Sequence, residues 1–126
     1  MLKDKSSSAI VAVRDIDRAR EFYANVLGLD VSRESMDGVI EFRTGNTLLV
    51  VYESEEAGTN RANAVVWSCG DEIDAIVAKL EAAGVKFEHY PEMEDLRIKG
   101  NIHVSGNMKL VWLKDPDGNI LHLNNI

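Results

Sequence analysis

The sequence has one cysteine and no long hydrophobic run. Cys69 cannot form an internal disulfide and lies in no Cys-x-x-Cys spacing, which is typical of a protein from a reducing compartment. No stretch approaches the roughly 20 apolar residues that a membrane-spanning helix needs. The first residues also carry charge where a signal peptide would be apolar. We therefore expect a cytoplasmic protein with no membrane partner.

Positive charge is also scarce, because 21 acidic residues face 14 basic ones and the formal net charge is −7. Acidic residues are spread along the chain, so the surface field repels nucleic acid, and we exclude it as a partner. Common catalytic signatures are missing as well. There is no His-Glu-x-x-His motif, no phosphate-binding glycine loop and no nucleophile elbow.

What the chain does contain is enough apolar material for a core. With 126 residues and 45% hydrophobic content, it fits one domain that needs no metal or disulfide to fold. We place this single domain at residues 7–126, after a short N-terminal tail at residues 1–6.

The first half of the domain predicts a strand, a helix and three more strands. "SAIVAV" is apolar and β-branched, and "DIDRAREFYANVLG" has apolar residues at helical spacing between a capping Asp15 and a terminating Gly28. Three short strands are predicted at about 30–33, 39–43 and 47–52, separated by turns.

The second half repeats this order. "NAVVWSC" is another β-rich run, and "DEIDAIVAKLEAAG" places apolar residues on one helical face before Gly84. Asp15 to Asp71 and Gly28 to Gly84 are both separations of 56 residues, which supports an internal repeat. We therefore predict an α+β fold with tandem βαβββ units at about 8–53 and 63–125. Such units form a cleft between two curved mixed sheets.

The two halves differ after Tyr90. A long polar segment, "PEMEDLRIKGNIHVSGN", precedes the strands "MKLVWLK" and "NILHLNN". We expect His89, and His103 within this segment, at the surface. Residues 115–118, Asp-Pro-Asp-Gly, are predicted to form a turn, because proline fixes φ and glycine permits the left-handed conformation.

His122 interrupts the apolar run of the last strand. It shares one strand face with Ile120 and Asn124, whereas Leu121 and Leu123 take the other face and are predicted to be core. A buried imidazole loses free energy unless its ring nitrogens find partners. His122 is therefore either a structural histidine with a partner or part of a ligand-binding wall.

Two stretches resemble the vicinal oxygen chelate superfamily, which includes glyoxalase I, bleomycin-resistance proteins, fosfomycin-resistance enzymes and extradiol dioxygenases. These stretches are "DIDRAREFYANVLGLDV" and "WLKDPDGNILHL", and with the repeat between them the resemblance covers nearly the whole chain. The resemblance implies the glyoxalase/bleomycin-resistance/dioxygenase fold, a site in the cleft, and a homodimer.

Enzymes of this superfamily hold a divalent metal with four inward-facing residues, usually histidines and glutamates. The resemblance places these four positions at Ser8, at Leu49 or Val50, at Ala64 or Val65, and at His122. Only the histidine is a good ligand, so we expect that the family metal site has been lost and that the protein has no cofactor.

The predicted function is binding of a small, mostly apolar organic molecule in the cleft, without the family metal. The predicted ligand-binding residues are His122, Ser8, Asn124, Trp67, Trp112 and Tyr52, although a large aromatic residue on a strand is more often part of the core than of a binding site.

Two other functions stay open. One is a metal-dependent lyase or isomerase of the lactoylglutathione lyase (glyoxalase I) type, with His122 as the only candidate catalytic residue and Ser8 or Asn124 beside it. The other is an accessory domain whose cleft binds nothing.

Overall fold

The computed structural model describes all residues from 1 to 126, and the chain divides into two compact units, Met1–Thr59 and Asn60–Ile126. Each unit contains one mixed β-sheet and one helical segment.

The first unit has the predicted order of strand, helix and three strands. Its strands are β1 (Ala9–Val13), β2 (Asp30–Ser35), β3 (Val39–Thr44) and β4 (Thr47–Glu53). They lie in the order β1-β4-β3-β2, with β1 and β4 parallel and the other pairs antiparallel.

The helical segment of the first unit begins as predicted. The Asp15 carboxylate accepts hydrogen bonds from the backbone N–H groups of Asp17 and Arg18, so it caps α1 (Ile16–Arg20). The chain then continues as a wider π-helical turn, Glu21–Val26, instead of a regular helix. Gly28, at φ +75°, ends the segment as predicted.

The helix packs against one face of the first sheet. Tyr23 is fully buried, and its ring centroid lies 5.8 Å from that of Phe42 on β3. The buried strand residues of this unit alternate with exposed or half-buried ones, as a half-covered sheet requires. They are Val11, Val13, Ile40, Phe42, Leu49 and Val51.

The second unit has six strands. They are β5 (Asn63–Ser68), β6 (Phe87–Glu88), β7 (Arg97–Lys99), β8 (Ile102–Ser105), β9 (Met108–Lys114) and β10 (Ile120–Asn124). The sheet order is β5-β10-β9-β8-β7, and β6 also pairs with β9. The β5–β10 pair is parallel, like the β1–β4 pair of the first unit.

The second helix, α2 (Ile73–Ala82), follows a single 3₁₀ turn at Gly70–Glu72. Asp71 therefore lies inside this turn and is not the cap that the repeat predicted. The predicted apolar face is confirmed, because Ile73, Val77 and Leu80 are buried. Gly84 takes φ +81°, close to the value of Gly28, and supports the 56-residue repeat.

The polar segment after Tyr90 contains a β-hairpin that the sequence pattern did not predict. β7 and β8 pair across a turn at Gly100 and Asn101, which adds two strands to the predicted βαβββ order. His103 lies on β8 and is fully buried, so its predicted surface position is wrong. The signal was present, since Ile102 and Val104 flank His103 between two Gly-Asn turns.

The turn before the last strand is confirmed. The Gly118 N–H donates to the Asp115 carbonyl at 3.0 Å, and Gly118 has φ +91°. The nearly buried Asp115 carboxylate accepts from the backbone N–H of Asp117 and from both the backbone and side-chain N–H groups of Asn119, at 2.8 to 2.9 Å. These bonds fix the point where β10 begins.

Candidate functional site

The sheet of the second unit has one face towards α2 and one face that no helix of this unit covers, which we call the open face. On the open face Val66 is 58% exposed, whereas Trp112 and Asn124 are 7% and 8% exposed. Leu121 and Leu123 of β10 are buried on the α2 face, as predicted. An ion pair of 2.6 Å between Lys109 of β9 and Asp74 of α2 lies on that side. His122 and Asn124 therefore project from the open face.

Strand register identifies the neighbours of His122 on the open face. His122 is paired with Trp112 of β9 and with Val66 of β5, and Asn124 is paired with Leu110. Directly paired residues place their side chains on the same face of a sheet. The face around His122 is thus largely apolar, with an imidazole and an amide as its polar groups.

Four rings form a cluster on this face, the aromatic cluster, made of Tyr90, His103, Trp112 and His122. The His122 ring stacks on Trp112, with centroids 4.8 Å apart and planes inclined by 24°. Tyr90 and His103 contact Trp112 edge to face, at 5.1 and 4.9 Å. Aromatic pairs in these geometries contribute about 0.5–1.5 kcal/mol beyond the area that they bury. The aromatic cluster therefore restricts the position of the His122 ring.

Hydrogen bonds set the orientation of the His122 ring. Nδ1 lies 3.0 Å from the carbonyl oxygen of Val111, and a carbonyl only accepts, so Nδ1 carries a proton. In the neutral ring, Nε2 is then an acceptor, and the Asn124 side-chain amide donates to it at 3.4 Å. The Asn124 amide is itself oriented, because its Oδ1 accepts the N–H of Ile126 at 3.1 Å.

Burial lowers the pKa of His122 below its usual 6.5, and the bond to the Val111 carbonyl opposes this effect in part. The ring is therefore neutral at pH 7. A neutral imidazole with Nε2 unprotonated can accept a hydrogen bond or a proton, and it can ligate a metal.

His103 ties the segment after β6 to the sheet. Its Nε2 accepts the backbone N–H of Tyr90 at 2.9 Å, which places Tyr90 beside Trp112. Its Nδ1 is buried and has no hydrogen-bond partner. Burial, and next the nearby His89, lower the pKa of His103. His103 thus positions other rings and does not present a free nitrogen at the surface.

His89, the third histidine, is exposed as predicted. Its Nε2 lies 2.8 Å from Asn101 Oδ1, and the Asn101 amide donates to Glu81 of α2 at 2.9 Å. This arrangement fixes the β7–β8 hairpin to the helix.

The other predicted ligand-binding residues lie apart from His122 in different ways. Trp67 is paired with Leu123, so it lies on the α2 face of the second sheet, opposite to His122. Ser8 precedes β1 and is exposed, and Tyr52 on β4 is half-buried; both belong to the first unit. Of the six predicted residues, the structure brings His122, Asn124 and Trp112 together.

The residues at the four family metal positions do not fit a divalent ion. Leu, Val and Ala side chains have no donor atoms, and Leu49 is fully buried in the core of the first unit. A serine hydroxyl and one imidazole are a poor donor set. No group of three or more His, Cys, Asp or Glu side chains in the chain could hold a metal ion.

The first unit has a polar hollow that no sequence motif marks. It has a volume of about 380 Å³, is lined by Arg14, Glu53, Ser54 and Glu55, and lies at the carboxyl ends of β1 and β4. Arg14 donates to the Ala57 carbonyl at 3.3 Å. With one cation between two carboxylates, the hollow has no clear preference for a charged ligand.

The chain belongs to the Glyoxalase/Bleomycin resistance protein/Dioxygenase superfamily, because the model of that family matches residues 6–123. No curated protein sequence matches the chain. No helix has the length and apolar character that crossing a membrane would require.

Solved structures show the same fold. FosX, a fosfomycin resistance protein from Listeria monocytogenes, aligns with TM-score 0.75 and 16% identity over 99% of this chain and 92% of its own. Lactoylglutathione lyase from Agrobacterium tumefaciens gives TM-score 0.71 and 19% identity, over 98% and 95%. A glyoxalase/bleomycin resistance protein/dioxygenase from Alicyclobacillus acidocaldarius gives 0.69 and 22%, over 96% and 90%. At these identities the similarity establishes the fold alone.

Proposed function

We propose that the protein binds a small, mostly apolar organic molecule against the open face of its second sheet, without a divalent metal, in the manner of a bleomycin-resistance-like binder. The observation that carries this proposal is the His122 ring. It is stacked on Trp112 and oriented by the Val111 carbonyl, on a sheet face that no helix of the unit covers.

The surroundings of His122 favour an apolar ligand. Val66, the residue paired with His122, is 58% exposed. A ligand that covers this apolar side chain removes it from water, which makes binding more favourable. The nearest charged pair on this face, Glu88 and Lys114, is internally satisfied at 2.8 Å. Binding sites for small molecules have this character, with an apolar lining and few polar groups.

The metal-free part of the proposal is supported by the donor set and is tested separately. Metal analysis of the purified protein is expected to find no stoichiometric transition metal. Turnover of a 2-oxoaldehyde–glutathione hemithioacetal that requires added metal would contradict the proposal and favour the lactoylglutathione lyase alternative.

Ligand binding is tested by screening small flat organic compounds with backbone amide NMR and thermal unfolding. We expect hits to move the amide signals of β5, β9 and β10 and to raise the unfolding temperature in proportion to ligand concentration. His122→Ala is expected to weaken these hits. His89→Ala is the matched control, because it removes an exposed imidazole whose contacts are with Asn101 and His103 and not with His122 or Trp112.

Two results would contradict the binding proposal. One is a broad screen in which no compound shifts any signal on β5, β9 or β10. The other is a set of hits that His89→Ala and His122→Ala weaken equally.

The proposal also includes a homodimer, supported by the family resemblance, and a cytoplasmic location, supported by the single free Cys69. Sedimentation equilibrium is expected to give twice the chain mass of 14.0 kDa. Ser8 and Tyr52 of the first unit stay predictions from the sequence, and Trp67, which lies on the α2 face, is not a contact of the ligand proposed here.

A further inference from the structure

The hydrogen-bonding pattern at His122 defines which polar group a ligand must present. Nδ1 is committed to the Val111 carbonyl, so the neutral ring offers only the Nε2 lone pair. The Asn124 amide reaches this lone pair at 3.4 Å, the long limit of a hydrogen bond. The acceptor at Nε2 is thus only weakly engaged.

Asn124 supplies the complementary donor. Its Oδ1 accepts the Ile126 N–H, so the orientation of the amide is fixed with Nδ2 towards His122. Nδ2 carries two hydrogens. An acceptor nitrogen and a donor nitrogen therefore lie side by side, 3.4 Å apart, on the open face.

A hydroxyl is the smallest group that satisfies both atoms. It can donate its hydrogen to Nε2 and accept from Nδ2 at the same oxygen. An ether oxygen can only accept, so it would leave the Nε2 lone pair with the long contact to Asn124 alone. A hydroxyl adds a donor of normal length to this acceptor, which makes the site selective for a hydroxyl.

The groups around this pair favour an aromatic hydroxyl. Trp112 is buried beneath the stacked His122 ring, so the half-buried His122 ring is the flat surface that a ligand can reach, and Val66 beside it is 58% exposed. Flat rings pack on such surfaces with little loss of conformational freedom. The cross-strand neighbours of His122 and Asn124 are Trp112, Val66, Leu110 and Ser68, and none of them is charged.

We infer that the site binds the hydroxyl of a flat aromatic molecule of the phenol class, which donates to His122 Nε2 and accepts from Asn124 Nδ2. This inference rests on the proposed function, because it names the ligand class of the same face. The flat part lies over the apolar residues, and the hydroxyl replaces the long bond between the two side chains.

A pair of probes with the same ring system tests the inference in the wild-type protein. 2-Naphthol carries the hydroxyl, and 2-methoxynaphthalene has the same ring system without a donor. In amide NMR titrations, we expect 2-naphthol to bind about tenfold more tightly, the difference that one satisfied hydrogen bond makes. In His122→Phe, which keeps a flat ring and removes Nε2, the two affinities are expected to converge. His89→Phe is expected to retain the preference.

The outcomes separate the inference from the proposed function. Equal binding of both probes to the wild type on β5, β9 and β10 would overturn the hydroxyl preference and leave the binding function standing. The same holds if the preference persists in His122→Phe. If neither probe binds at this face, both the inference and the proposed function for flat ligands are overturned. The wild-type comparison needs no variant to fold.

Discussion

Replacing Leu121 and His122 by alanine, in separate variants, tests whether β10 has one core face and one open face. The two residues are adjacent in sequence and project from opposite sides of the sheet. Leu121 is fully buried on the α2 face, whereas His122 is only partly buried. The same chemical truncation should therefore have very different effects on the free energy of unfolding.

The expected magnitudes follow from the contacts. Leu121→Ala removes about three methylene equivalents at roughly 0.8 kcal/mol each and leaves a cavity, so we expect a loss of about 3 kcal/mol. His122→Ala removes one neutral hydrogen bond, to Val111, and one stacked contact, to Trp112. Because water can reach the vacated position, we expect a loss of about 1 kcal/mol.

Urea unfolding of both variants measures the difference. With a typical slope of about 1.5–3 kcal/mol per M, Leu121→Ala should lower the midpoint by about 1–2 M, and His122→Ala by about a third of that. A loss in His122→Ala equal to that in Leu121→Ala, at unchanged slope, would contradict the assignment of the two residues to different faces. His122 would then be a core residue, and the open face would lose its defining member.

Two further predictions concern acid stability and the turn before β10. Burial lowers the folded-state pKa of both His103 and His122 below the unfolded value of 6.5, so the unfolded chain binds more protons as the pH falls. The free energy of unfolding should therefore be constant above about pH 6.5 and decrease below it, and the decrease should be smaller in His122→Phe. Urea unfolding midpoints measured from pH 7.5 to 5 test this, and a midpoint that does not change with pH would contradict it. Asp115→Ala leaves three N–H donors without their acceptor. We therefore expect urea unfolding to show a loss of about 3 kcal/mol in the free energy of unfolding. A loss below about 1 kcal/mol would show that water replaces the carboxylate.

Local patterns were sufficient for most of the architecture, because the signals they depend on lie within a few residues of one another. Asp15 and Gly28 mark the bounds of the first helical segment through a cap and a left-handed turn, which are properties of neighbouring backbone groups. Strict alternation in β10 assigned Leu121 and Leu123 to the core. The 56-residue repeat then extended the assignment to the second unit.

Neither the β7–β8 hairpin nor the burial of His103 could be predicted from local sequence patterns. Residues Arg97–Lys99 form a strand of only three residues, and a polar composition there resembles a loop. The β7 strand forms because β8, which is itself paired with β9, offers β7 a partner edge. No local sequence pattern indicates this edge. His103 becomes buried only when Tyr90 and Trp112 pack around it.

The order of the elements, the repeat, the family resemblance and the face of β10 on which His122 lies can all be read from the amino-acid sequence, because strand alternation and helix caps are short-range properties. The stacking of Trp112 on His122, and the position of Trp67 on the other side of the sheet, depend on the folded arrangement of the strands. It also assigned the proton to His122 Nδ1 through the Val111 carbonyl. These features depend on the register between strands that are distant in the sequence. A register shift of one residue would move each side chain to the other face of the sheet and remove these contacts.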